Sequence, residues 1–123
     1  MSTPDEIVAK ELTRLSANFL EHLPQELRAV EDEVTAWLDA PQNTRRFEIL
    51  SHRVHQLKGS GSTFGCPGIS RAARMLEQRM GDLRREVDAG QRPATTDVES
   101  AMAQLQNEGR RAQTRLRRQE GGK

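Results

Sequence analysis

Apolar residues recur at intervals of three and four along most of the chain, and this periodicity constrains the fold more than any other feature. Such spacing puts the apolar side chains on one face of an α-helix. Five stretches of the chain show the pattern. Their apolar positions are Val8, Leu12, Leu15 and Phe19; Leu23, Leu27, Val30, Val34 and Trp37; Phe47, Leu50, Val54 and Leu57; Ile69, Ala73, Leu76, Met80, Leu83 and Val87; and Val98, Met102, Leu105, Ala112 and Leu116.

Capping signals indicate where these helices begin and end. Thr3, Pro4 and Glu6 combine a capping box with a proline at the first helical position, and Gly90 is a C-terminal stop signal. Pro24 falls between the first two stretches, which therefore form either one kinked helix or two helices. We predict an all-α fold, an antiparallel up-and-down four-helix bundle with an additional N-terminal helix.

Length and composition predict a single domain, which we place at residues 1–120, with a disordered tail at 121–123. Hydrophobic residues make up 34% and charged residues 30%, which suits a helical bundle. The net charge of +1 gives no overall field that attracts nucleic acid or membrane, so we expect neither as a partner. The arginines from Arg110 onward could contact a polyanion, but we favour a helix end whose basic residues complement the helix dipole.

Several features predict a cytoplasmic location. The only cysteine, Cys66, excludes an intrachain disulfide and fits a reducing compartment. The N-terminus is polar and acidic, unlike a secretory signal. No apolar run approaches the roughly 18 residues that a membrane helix needs.

The candidate functional residues lie where the third stretch meets a run of small residues. In a helix, His55, Lys58 and Gly59 share one face, since they are spaced i, i+3 and i+4. His55 lies about 120° from the centre of the apolar stripe, so we expect it to be exposed. Gly59 costs about 1 kcal/mol relative to alanine in a helix interior, which suggests that something must approach closely there. An ordinary surface histidine remains the alternative at this point.

The segment resembles the signature of histidine phosphotransfer (HPt) domains. That signature, His-x-x-Lys-Gly with a further glycine about six positions after the Lys-Gly pair, stands here as His55, Lys58, Gly59 and Gly65, with Leu57 at the aliphatic position. The sequence Gly-Ser-Thr-Phe-Gly at 61–65 and the pair Leu76-Glu77 are similar to the phospho-accepting domain of chemotaxis-type histidine kinases. The resemblance covers roughly residues 15 to 118.

The resemblance implies a phosphocarrier. His55 would carry a phosphoryl group between a sensor kinase and a receiver aspartate, with Lys58 stabilising the phosphate and Gly59 clearing the approach. The chain would have no cofactor of its own, since Mg²⁺ would come from the receiver. It would not be an enzyme, because no nucleotide-binding loop is present. We expect a monomer, and we expect the partner-binding surface to include Ser51, His52, Ser62 and Phe64.

Two alternative functions stay open. The chain could be an HPt-like adaptor that docks to and inhibits a kinase or receiver without being phosphorylated, or the phospho-accepting module of a larger chemotaxis-type kinase. His52 is the nearest rival nucleophile, but it lacks the lysine and glycine offsets. A zinc pair of His52 and His55 has no further matching ligand, so we predict no metal site. Glu77 falls off its apolar stripe and is interpreted as an ordinary surface charge.

Overall fold

The computed structural model describes residues 3–121, with side chains described as far as residue 118. Within this range the chain forms four helices and no strand: α1 (Pro4–Asp39), α2 (Thr44–Thr63), α3 (Pro67–Asp88) and α4 (Thr96–Gly121). The predicted all-α fold is therefore confirmed. The disorder expected at residues 122 and 123 lies outside the described residues, and Gly121 is the last residue of α4.

The helices form a ring in which each contacts two neighbours: α1 with α2, α2 with α3, α3 with α4, and α4 with α1. Early in α2, Thr44 lies 3.4 Å from the guanidinium of Arg84, which is late in α3. At the other end of α2, a Cβ on Gly61 would lie 3.0 Å from the backbone nitrogen of Ser70, early in α3. The two helices therefore run in opposite directions, as the short connection between them favours.

The core lies inside this ring and comes mainly from the predicted apolar stripes. Trp37 is fully buried beside Phe47, with ring centroids 5.3 Å apart. The first stripe is the exception, because Val8, Leu12 and Leu15 are exposed. The largest fully buried side chains are Trp37, Leu23, Leu50, Ile69, Leu76, Met80, Leu83, Leu105, Val30, Val54 and Val98.

The additional N-terminal helix is not a separate element, because α1 runs as one helix of 36 residues through Pro24. A proline inside a helix has no N–H to offer the carbonyl four residues earlier, which here belongs to Leu20. The Nε2 group of Gln113 on α4 donates a hydrogen bond to that carbonyl. Gln113 therefore supplies the hydrogen-bond donor that Pro24 lacks. This explains how α1 continues through the proline as one helix.

A tight turn joins α2 to α3 and sets their register. Gly65 has φ +75°, a left-handed conformation that suits glycine at a helix C-terminus. The N–H of Cys66 donates to the carbonyl of Gly61 at 2.7 Å, which is the long hydrogen bond of a Schellman motif. Pro67 then starts α3. The glycine of the HPt-like signature therefore ends the histidine-bearing helix.

No helix in the part of the chain that the structure describes is long and apolar enough to cross a membrane.

Candidate functional site

His55 stands on the outer surface of α2, as the helix wheel predicts. Its neighbours Val54 and Leu57 face the core and are almost completely buried. The His55 side chain is 67% exposed, whereas that of Lys58, one turn later, is only 24% exposed. The stem of Lys58 therefore covers protein surface while its ammonium stays beside the histidine.

One carboxylate from the next helix holds both of these side chains. Oε2 of Glu77 on α3 lies 3.2 Å from Nδ1 of His55, and Oε1 of the same carboxylate accepts a hydrogen bond from Nζ of Lys58 at 2.8 Å. The Glu77 side chain is 33% exposed. The histidine and the lysine are thus on the same side of the bundle, with one anion between them.

Glu77 remains ionised at neutral pH. Partial burial on its own would raise the pKa of this carboxyl group, but the hydrogen bonds and the positive charges of Lys58 and His55 together outweigh burial and hold the pKa of Glu77 below its ordinary value. An ionised carboxylate can only accept hydrogen bonds. The contact with His55 therefore requires that the histidine donates to it.

This requirement selects the tautomer of His55. When Nδ1 carries the proton that Glu77 accepts, the neutral ring has its free lone pair on Nε2. A carboxylate that orients a histidine in this way also stabilises any positive charge that the ring acquires when Nε2 reacts. The arrangement thus presents Nε2, on an exposed ring, as a nucleophile.

Gly59 leaves space that the described part of the chain does not use. A Cβ added at Gly59 would meet no side chain and no backbone of another helix within 4 Å. Its backbone is helical, so no unusual φ calls for glycine either. Gly61 differs, because a Cβ there would lie 3.1 Å from Ile69 and 3.2 Å from the carbonyl oxygen of Cys66. Packing within the chain therefore explains why residue 61 is glycine, but it does not explain why residue 59 is glycine.

Gly59 is one of the residues that line an open groove between α1 and α2. Its volume is about 830 Å³, and Phe19 and Phe64 pack together on its wall with ring centroids 5.4 Å apart. The residues that line it are Asn18, Phe19, His22, Leu23, Gln25, Glu26, Gln56, Leu57, Gly59, Ser60, Thr63 and Phe64. The groove therefore combines four large apolar side chains with polar ones, a mixture that suits a docking surface.

The structure brings only some of the predicted partner-binding residues together. Phe64 is half-buried and lines the groove. His52 and Ser62 are exposed and Ser51 is half-buried, and none of these three lines it. Sequence reasoning missed the groove wall from α1, including Phe19 and His22, because the pairing of α1 with α2 is not visible in either segment alone.

Sequence reasoning also missed Glu77. The turn at Phe64–Cys66 could have revealed it, since His55 and Glu77 lie at similar distances before and after that turn. In an antiparallel helix pair with a tight turn, such residues come to the same level. An acidic side chain at that level, off the apolar stripe, was the available signal.

Within residues 3–121, no three histidine, cysteine, aspartate or glutamate side chains come together in a group that could hold a metal ion.

The fold and the site define a class of protein: an antiparallel helical bundle that presents a surface histidine beside a lysine and a glycine on one helix. The sequence model of the Hpt domain matches residues 14–108, which include all of this site. The chain belongs to the Hpt domain family, whose members take part in histidine phosphotransfer in phosphorelays. No curated protein and no solved structure gave a significant match.

Proposed function

We propose that the chain carries a phosphoryl group on Nε2 of His55, receiving it from one signalling protein and passing it to another. The observation that supports this most strongly is the bridge through Glu77, which engages Nδ1 of His55 and Nζ of Lys58 at 3.2 and 2.8 Å. A merely structural surface histidine does not need its tautomer fixed beside a cation and an open backbone.

The proposed step is a reversible displacement at phosphorus. The Nε2 lone pair attacks the phosphoryl group of an aspartyl phosphate on a receiver, an N–P bond forms, and the O–P bond to the aspartate breaks. The aspartate leaves as a carboxylate, and Nδ1 of His55 keeps its proton. Glu77 stabilises the positive charge that the ring gains.

Lys58 and Gly59 serve the same step in different ways. An ammonium group has three donors, and Glu77 occupies one of them, so Lys58 has donors left for the equatorial oxygens of the phosphoryl group. Phosphoryl transfer depends mainly on positioning and on such charge stabilisation. The open space at Gly59 admits the partner that carries the acceptor or donor group.

The partners in this proposal are a histidine kinase and a receiver domain. Mg²⁺ would be supplied by the receiver, and the chain would act as a carrier and not as an enzyme. The groove beside Gly59 would accept an apolar surface of the partner, with Phe19 and Phe64 as its contacts. The cytoplasmic location stays a prediction from the sequence.

A transfer assay tests the proposal. Each receiver domain of the source organism is phosphorylated with acetyl phosphate and mixed with the chain, and transfer is followed as an acid-labile, alkali-stable phosphate on the chain. We expect His55→Gln to abolish labelling without loss of helix content, and His52→Gln to retain it. Labelling that survives in His55→Gln would contradict the proposed site.

The same assay separates the alternative functions. A chain that binds a receiver tightly but never takes up phosphate, from a receiver or from a kinase, is an adaptor. A gene that continues into an ATP-binding domain would make the chain the phospho-accepting module of a larger kinase.

A further inference from the structure

The first three turns of α1 carry an apolar stripe that the described part of the chain leaves uncovered. Val8, Leu12 and Leu15, here called the α1 stripe, are 36–64% exposed. Their spacing of four and three residues places them within one narrow sector of the helix. Exposed apolar side chains are common singly, but an aligned row of them marks a contact surface.

The α1 stripe continues the face of α1 that forms the core. At about 100° per residue, Leu12 and Leu15 point in the same direction as Leu23, Val30 and Trp37, which are buried. The exposed and the buried parts of this face differ in which helices pack against them. Phe64, just after the end of α2, packs against Phe19, so the turn between α2 and α3 lies level with Phe19. Beyond that level, α2 and α3 no longer cover α1.

Only α4 accompanies α1 past this level. Gln113 contacts the carbonyl of Leu20, and Gln106 hydrogen-bonds to Glu31 at 2.9 Å, so α4 runs antiparallel to α1. Its last turns therefore lie beside the residues of α1 that precede Leu20. Since Gln113 is level with Leu20, α4 ends near the level of Leu12. Between the levels of Leu20 and Leu12 the molecule therefore has two helices where its middle has four, and neither α2 nor α3 covers the α1 stripe.

We propose that a second copy of the chain covers the α1 stripe in a two-fold symmetric dimer, in place of the monomer expected from the sequence. In a tail-to-tail arrangement, the first turns of α1 from each copy lie against α1 and α4 of the other copy, in the place that α2 and α3 leave open. Such an interface is self-complementary, as two-fold symmetry requires. The α1 stripes pair antiparallel, with Leu12 near the symmetry axis and Val8 of one copy level with Leu15 of the other.

The positions of the charged residues favour a second copy of the chain as the partner that covers the α1 stripe. The first turn of α1 carries Asp5 and Glu6, and the end of α4 carries the exposed arginines Arg115 and Arg118. In one chain these groups are separated along the bundle, because Arg115 lies near the level of Asn18. In the antiparallel dimer the acidic turn of one copy comes level with those arginines in the other, which gives two equivalent pairs of opposite charge.

The dimer leaves the proposed function intact. His55 lies nine residues before Phe64, which is level with Phe19, so it is about 20 Å along the bundle axis from Leu15, the nearest residue of the α1 stripe. Both copies therefore keep an accessible histidine. Residues 4–13 and 109–121 lie outside the segment that the Hpt domain model matches, and Leu15 lies just inside it. The inference goes beyond the proposed function and does not depend on it.

Sedimentation velocity on the full chain, from about 1 to 500 μM, tests the proposal. We expect the weight-average mass to rise with concentration from 13.9 kDa towards twice that value. The double variant Leu12→Glu, Leu15→Glu should weaken association at least tenfold while circular dichroism stays unchanged. Ile49→Glu replaces an equally exposed apolar residue on α2 and should associate like the unaltered chain.

Charge reversal provides a second test that does not touch apolar residues. Glu6→Lys should weaken the dimer, and adding Arg115→Glu in the same chain should restore it. A mass that stays at 13.9 kDa at every concentration would overturn the proposal, as would a dimer that the double variant Leu12→Glu, Leu15→Glu does not weaken. So would a monomer in which the α1 stripe is needed to bind a receiver, since the stripe would then belong to that partner's site.

Discussion

Glu77 reaches from α3 to Nδ1 of His55 at 3.2 Å, although 22 residues separate the two in sequence. Its other oxygen binds Lys58, so one carboxylate fixes both the tautomer of the histidine and the position of the ammonium. The bundle contributes this geometry through the antiparallel register of α2 and α3. The sequence motif lies on α2 alone, but the site is formed by residues of both α2 and α3.

Replacing Glu77 by glutamine tests this relationship. Glutamine has the same shape but no charge, and its amide can donate to Nδ1 and so favour the wrong tautomer. A hydrogen bond to a charged group is worth about 1.5–3 kcal/mol when well formed, and this one is partly exposed. We expect phosphotransfer to slow about tenfold with little change in folding, measured by rapid-quench transfer from a phosphorylated receiver. A rate equal to that of the unaltered chain would exclude a role for Glu77.

The two glycines of α2 provide a matched pair of substitutions. Gly59→Ala should stabilise the protein by about 0.5–1 kcal/mol, because alanine favours the helix and its Cβ meets open space. Gly61→Ala should destabilise it, because the new Cβ would press on Ile69 and on the backbone of Ser70. Urea denaturation measures both.

Bulk at Gly59 should affect the partner rather than the fold. Gly59→Leu is expected to keep the stability of the bundle but to weaken receiver binding and transfer at least tenfold. Full transfer activity in Gly59→Leu would show that this position does not need to be clear.

The lowered pKa of Glu77 predicts a pH dependence of stability. Since the folded-state pKa lies below the unfolded value of about 4.3, the unfolded chain takes up the proton first as pH falls. The stabilisation from Glu77 is therefore complete above that pH and is lost as pH falls through the folded-state pKa. The difference in unfolding free energy between the unaltered chain and Glu77→Gln should be larger at pH 7 than at pH 3. Glu48→Gln, on the exposed face of α2, is the control.

The hydrogen bond from Gln113 allows α1 to continue through Pro24, so replacing Gln113 should lower the free energy of unfolding. Gln113→Leu leaves the carbonyl of Leu20 without its partner, which we expect to lower the unfolding free energy by about 1–3 kcal/mol. Gln106→Leu removes an exposed hydrogen bond to Glu31 and should change stability by less than about 0.5 kcal/mol. Equal effects from the two variants would contradict this account of α1.

The sequence predicts what depends on one helix at a time. Apolar periodicity identifies the helices, and the helix wheel predicts the exposure of His55 and the placement of Lys58 and Gly59 around it. Features that depend on pairs of helices were missed, namely Glu77 and the groove wall from α1. The continuity of α1 could not be decided because it depends on Gln113, which is far from Pro24 in the sequence.

The N-terminal stripe shows a different limit. Val8, Leu12 and Leu15 have the same spacing as the core residues, and nothing in that spacing distinguishes a buried row from an exposed one. Their exposure follows from the lengths of α2 and α3, which end before they reach this part of α1.

The most direct test of the central claim is to determine which nitrogen carries the phosphoryl group and which carries the proton. The phosphorylated chain, with histidine labelled with ¹⁵N, is studied by correlated ¹H, ¹⁵N and ³¹P NMR. We predict one phosphoryl group, on Nε2 of His55, with a proton on Nδ1 that is protected from solvent exchange and loses this protection in Glu77→Gln. Phosphate on Nδ1, or on another histidine, would contradict the account.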